Sequence, residues 1–155
     1  MDQSENLQRE KRDRARRWRL GARVPSCCRC AESRVAALIR AVDRIVCYEC
    51  RILEFGRLSI EDHHVAGRSN DDFTIPLSGN DHRCISDLQA GWPTQTLRNP
   101  HKSPLRKFAA WLRGLRDLFV IWAEDLLQRA RQIEELDEAI EKKLGANVWK
   151  RVSLG

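Results

Sequence analysis

The chain has 155 residues, with 28 lysines and arginines against 22 aspartates and glutamates and a formal charge of +6, a length suited to one small domain with extensions. No apolar run approaches the roughly 18 residues that a membrane-spanning helix needs, and the N-terminus lacks the apolar core of a signal peptide, so the chain reads as cytoplasmic, without a membrane partner. The excess of basic residues suits a polyanionic partner, although where the charge lies says more than how much there is.

Residues 1–23 form a basic N-terminal arm containing QREKRDRARRWRLGAR. Arg12, Arg14, Arg16 and Arg17 surround one aromatic residue, Trp18, and there is little to bury. The expectation is a mobile or partly helical arm whose guanidinium groups neutralise phosphates while the indole stacks on a base. A solvated tail is the plainer alternative.

Cys27, Cys30, Cys47 and Cys50 follow as two C-x-x-C knuckles separated by 16 residues. Without a secretory signal, six cysteines point to metal rather than disulfides. Each knuckle can place two thiolates on one tetrahedral Zn²⁺, and the intervening stretch is long enough for a hairpin, as in a zinc ribbon. Val35, Leu38, Ile39, Val42 and Ile45 also fit a helical period, so the hairpin is favoured rather than forced. Cys28 offers an alternative register and is not assigned as a ligand.

The stretch SIEDHHVAGRSNDDFTIPLSGNDHRC, residues 59–84, gathers three of the four histidines. Leu58 to Asp62 alternates like a short strand, Gly67 to Asp72 is turn chemistry, Thr74 to Leu77 is a brief apolar run, and Ile85 to Leu88 can begin a helix. Strand, loop, strand and helix follow in that order. Hydrolysis of a phosphodiester needs a base to deprotonate water and a cation to stabilise charge on the phosphoryl and leaving oxygens. Imidazole suits the first role, with an unperturbed pKa of about 6.5.

HHVAGR followed by an apolar strand and NDHR resembles the HHxxGR…NCHR form of the ββα-metal finger of HNH nucleases. The resemblance implies that His64 is the general base and that His63 and His82 hold a catalytic divalent cation. Mg²⁺ or Mn²⁺ is the usual expectation, and imidazole ligands also admit Zn²⁺ or Ni²⁺. Arg68 matches the arginine of the GR turn, and with Arg83 it is placed to contact phosphates. Bacteriophage or mobile-element biology is a familiar setting for the family.

Two features depart from the pattern. Ser78 and Asp81 stand where many members carry a further C-x-x-C knuckle, a role the upstream cysteines can take over, which leaves Cys84 as a small buried residue. The middle asparagine has no clean counterpart: counting back from His82 reaches Phe73, with Asn70, Asp72 and Thr74 nearby.

Gly91, Trp92 and Pro93 end the finger helix, and Thr94 to Lys102 reads as a linker. Ser103-Pro104 then starts a helix. Apolar residues recur at three-four spacing through Leu105, Phe108, Leu112, Leu115, Phe119, Trp122, Leu126, Ile133 and Ile140 until Gly145. This seam suits pairing with a second copy, or burial in a helical hairpin bent near Gln128 to Gln132. The helix is expected to be structural and to stand apart from the active site, and Gly114 to mark a close approach to a neighbour.

These readings combine into an α+β chain in three parts. A basic arm (1–23) precedes a zinc-stapled HNH nuclease module (24–95), in which a zinc-ribbon-like unit joins the ββα-metal finger; a long C-terminal helix or helical hairpin completes the chain (96–155). The expected activity is metal-dependent endonucleolytic cleavage of DNA, with RNA left open as a partner. Two rivals stand beside it: a non-catalytic zinc-containing nucleic-acid-binding protein, and an oligomeric scaffold.

Overall fold

A computed structural model describes residues 3–145 and Trp149; residues 1–2, 146–148 and 150–155, the ends of the arm and of the C-terminal extension, lie outside the described residues. The chain divides into two compact units, Met1–Leu118 and Phe119–Gly155. It is α+β, with two separate two-stranded antiparallel sheets and a long C-terminal helix.

The basic arm is helical. Helix α1 spans Gln3–Leu20, a run of glutamine, glutamate, lysine, arginine and alanine that loses little side-chain freedom in a helix. It stops at Gly21, whose φ of 69° lies where a side chain would be strained. Leu20 is buried with Cys27, Val35, Leu38, Val46 and Cys47. Farther back, Arg12 and Arg16 both reach the buried carboxylate of Asp87, at 2.9 and 2.8 Å. The arm is therefore fastened at two points.

Between the cysteine knuckles the chain forms the hairpin. A 3-10 turn at Val35–Ala37 leads into β1 (Leu38–Arg40), which pairs antiparallel with β2 (Ile45–Cys47) so that Leu38 faces Cys47 and Arg40 faces Ile45. The pairing decides against the helical reading: Ile39 lies opposite Val46, and Val42, one of the helical-period residues, is fully exposed at the tip. Helix α2 (Tyr48–Leu53) follows at once, capped by the Cys47 sulfur.

The second sheet begins later than the alternation suggests. β3 spans Ile60–His64 rather than Leu58 to Asp62, so both histidines lie within it, opposite Ile75 and Thr74 of β4 (Thr74–Ser78). Helix α3 spans Gly79–Gln89, six residues ahead of the apolar run at Ile85, because Ser78 caps it by accepting from the Asp81 backbone N–H at 3.2 Å. Ile85 and Leu88 are buried along this helix. The expected linker contains a short helix, α4 (Thr94–Arg98), ended by Asn99 in the left-handed region.

Helix α5 spans Pro104–Leu144 without interruption, so the chain does not fold back near Gln128 to Gln132. Within the first unit, Gly114 lies against the Val65 carbonyl so closely that a Cβ there would overlap it. Asp117, fully buried, accepts from the Trp92 indole at 2.8 Å. Gly145, with φ of 89°, donates its N–H to Glu141 and closes the helix.

Candidate functional site

One candidate centre lies at the hairpin. The sulfurs of Cys27, Cys30, Cys47 and Cys50 all fall within 4.8 Å of one another, and those of Cys30 and Cys47 are 3.6 Å apart. Four sulfurs placed tetrahedrally at about 2.3 Å from a zinc ion would be separated by about 3.8 Å, so the spacing fits a four-coordinate metal and is too long for a disulfide. Burial works against ionisation of Cys27, but backbone N–H groups, led by that of Arg29, bring its thiol down to about 6. The Cys50 thiol is pushed up, first by burial and then by sharing hydrogen bonds with Cys47 and Cys30. Crowding of this kind is what a divalent cation would relieve. The four cysteines could thus hold a structural metal ion. Cys28 is exposed outside the cluster, while Cys84 is buried on α3 and its thiol raised by burial to about 12.

Two of the three histidines, His63 and His82, meet across β3 and α3. His63 is buried, with its ring centroid 5.2 Å from that of His82 in the first turn of α3. Burial, and then the neighbouring His82 and His64, push the His63 imidazole down to about 4, which keeps it neutral near pH 7. The Gln89 amide nitrogen lies within 3.1 Å of three acceptors: His63 Nε2, the His64 carbonyl and the Val65 carbonyl. An amide nitrogen has two protons. Two protons thus serve three acceptors, His63 Nε2 among them. His82 Nδ1 lies 2.9 Å from Glu61 Oε2, a bond that leaves its Nε2 as the free nitrogen and fixes the ring, in the manner of metal-ligating histidines backed by a carboxylate.

His64 points to the other face of β3. Its Nδ1 lies 3.1 Å from the Asp71 carbonyl oxygen. Since a carbonyl only accepts, Nδ1 is the nitrogen that carries a proton in this contact, which turns Nε2 away from the loop. That carbonyl is held firmly. Asn70 donates its amide to the carbonyls of Ala66 and Thr96, both at 2.9 Å. The Asp71 carboxylate accepts from the Trp111 indole and Lys107 at 2.9 Å each and from the Phe73 N–H at 3.1 Å. These contacts, Lys107 foremost, drive its pKa well below the usual carboxylate range.

Sequence reading placed a hydrogen-bonding role near Phe73, with Asn70, Asp72 or Thr74 as substitutes. Of these, Asn70 makes side-chain hydrogen bonds to the Ala66 and Thr96 carbonyls, joined by the main chain of Asp71, while Phe73 is exposed with its ring tilted 5.3 Å from that of Trp111. Lys107 and Trp111 belong to α5, so the first turns of that helix reach the carboxylate of Asp71, whose main-chain carbonyl meets His64. Asp71, Glu61, Gln89 and Lys107 were not singled out in the sequence; a backbone carbonyl has no side-chain signature, and Gln89 and Lys107 lie outside the motif.

The arginines occupy several distinct settings. Arg12 and Arg16 are engaged with Asp87, whose carboxyl is held low despite its burial chiefly by the Arg16 hydrogen bond. Arg14 and Arg17 border a shallow pocket with the exposed Trp18 and Arg23. Arg68 is exposed on the loop after Gly67. Arg83 lies with its guanidinium 3.8 Å over the Tyr48 ring. A cleft of about 690 Å³ brings Arg16, Arg19, Arg40 and Arg83 to the same walls as Glu61 and His82. Arg19 and Arg40 join this cleft only through the fold, for α1 and β1 are distant in sequence from the histidines.

Among the described residues, no helix is long and apolar enough to cross a membrane. No protein-family model, curated protein or solved structure matches this chain.

Proposed function

We propose that the chain is a metal-dependent DNA endonuclease, with β3, β4 and α3 forming an HNH-type ββα-metal finger stapled by one Zn²⁺ at Cys27, Cys30, Cys47 and Cys50. The observation that carries the reading is the oriented histidine cluster: His64 with Nδ1 held by the Asp71 carbonyl, and His63 and His82 side by side on the neighbouring surface. His63, whose ring lies beside that of His82, and His82, whose Nδ1 is taken by Glu61 so that Nε2 is left to a ligand, are the residues that would hold a divalent cation. When bound, such a cation, Mg²⁺ or Mn²⁺ in the first instance, would stabilise negative charge on phosphoryl and leaving oxygens.

His64 Nε2 would take the proton from the attacking water, and Asp71 would keep the ring in the tautomer that leaves this nitrogen unprotonated. The cleft lined by Arg19, Arg40 and Arg83 would receive the phosphate backbone next to His82, with Trp18 and Arg17 extending the basic surface. Cleavage of supercoiled plasmid in Mg²⁺ or Mn²⁺, by wild type but not by His64→Ala, is the test. No cleavage in any divalent metal, with salt-dependent binding retained, would instead support the second reading, a nucleic-acid-binding protein that uses the same arginines without hydrolysis.

A further inference from the structure

Helix α5 carries an apolar stripe beside the residues that its first turns bury. Leu105, Phe108, Leu112, Phe119, Leu126 and Ile133 are each more than half exposed. With the residues between them they keep a three-four repeat from Leu105 to Ile140, broken once by Arg129. A heptad seam of that length is matched by another helix of the same repeat. Its charge is polar along the axis: residues 104–118 carry four cations and one acid, whereas 119–144 carry seven acids and four cations, two of them Lys142 and Lys143 in the last turn. Two copies side by side in parallel would set like charge against like. Head to tail, the basic half of each faces the acidic half of the other, and both seams close about a centre near Trp122 to Leu126.

We infer that the occupant of this stripe is α5 of a second copy, packed antiparallel, independently of the proposed activity. The pair would bury the exposed aromatic and leucine side chains together and direct Arg129 to the seam's edge. Sedimentation equilibrium of the full metal-loaded chain at micromolar concentration should give a dimer whose dissociation constant rises at least tenfold from low to molar salt. Leu126→Glu should give monomers with unchanged helicity, and Arg129→Leu, which fills the break, should tighten the dimer.

Spin labels at position 141, introduced as Glu141→Cys in a Cys28→Ser background, set the direction. An antiparallel pair separates them by about 50 Å, from 1.5 Å of rise per residue, and a parallel pair by about 10 Å, the spacing of packed helices. A monomer, including one that floats with anionic vesicles, would overturn the inference. So would the short label distance, or a dimer indifferent to both substitutions.

Discussion

His64→Ala should lower single-turnover cleavage by about 10²- to 10⁴-fold, the usual worth of a general base, while metal and DNA affinity change little. His82→Ala should weaken cation binding instead, with rescue at higher metal concentration. A His64→Ala protein that cuts at the wild-type rate would remove the assignment. Trp111→Phe deletes the indole N–H that Asp71 accepts and keeps the ring beside Phe73, so its cleavage rate should fall by less than that of His64→Ala, with melting nearly unchanged. At this scale the candidate cluster was legible where side chains form it: three histidines at recognisable spacing. It was not legible where the main chain carries it, because any residue has a carbonyl and only the loop's path selects that of Asp71.

Among the elements, α5 shows how local propensity yields to packing. Gly114→Ala should add up to about 1 kcal/mol of helix propensity, but the methyl would overlap the Val65 carbonyl one residue beyond His64. A net loss of about 1–3 kcal/mol is expected from overpacking, read as a lower urea midpoint; a stabilised protein would show that the contact relaxes freely. The hairpin was legible from the metal spacing, and α5 from its start at Ser103-Pro104, its repeat and its end at Gly145. Helix α1 was less so, because a charged run without an apolar face reads the same whether it is tethered or solvated, and its tether, Asp87, lies 71 residues beyond Arg16. The start of α3 was missed because a serine cap, rather than an apolar run, begins it.

For the molecule as a whole, the metal is expected to be a condition of folding at the hairpin. The described core beside it is small, built from Leu20, Val35, Leu38 and Val46 around two of the cysteines, and thiolate binding to zinc supplies folding free energy directly. Elemental analysis should give one zinc per chain, and chelation should abolish the cooperative melt of this region; an intact melt without metal would refute the claim. Helix α1 joins that core through Leu20, while Leu7 and Trp18 are exposed, and Arg12 and Arg16 fasten it to the carboxylate of Asp87. Because the folded Asp87 carboxyl lies below its ordinary value, this contribution is present above about pH 4 and fades as the pH falls below it. In hydrogen-exchange terms, α1 is expected to open as a unit of its own, at lower free energy than α3. Its amides should lose protection in molar salt while those of Ile85 and Leu88 keep theirs, and the cleft wall formed by Arg16 and Arg19 would come and go with it.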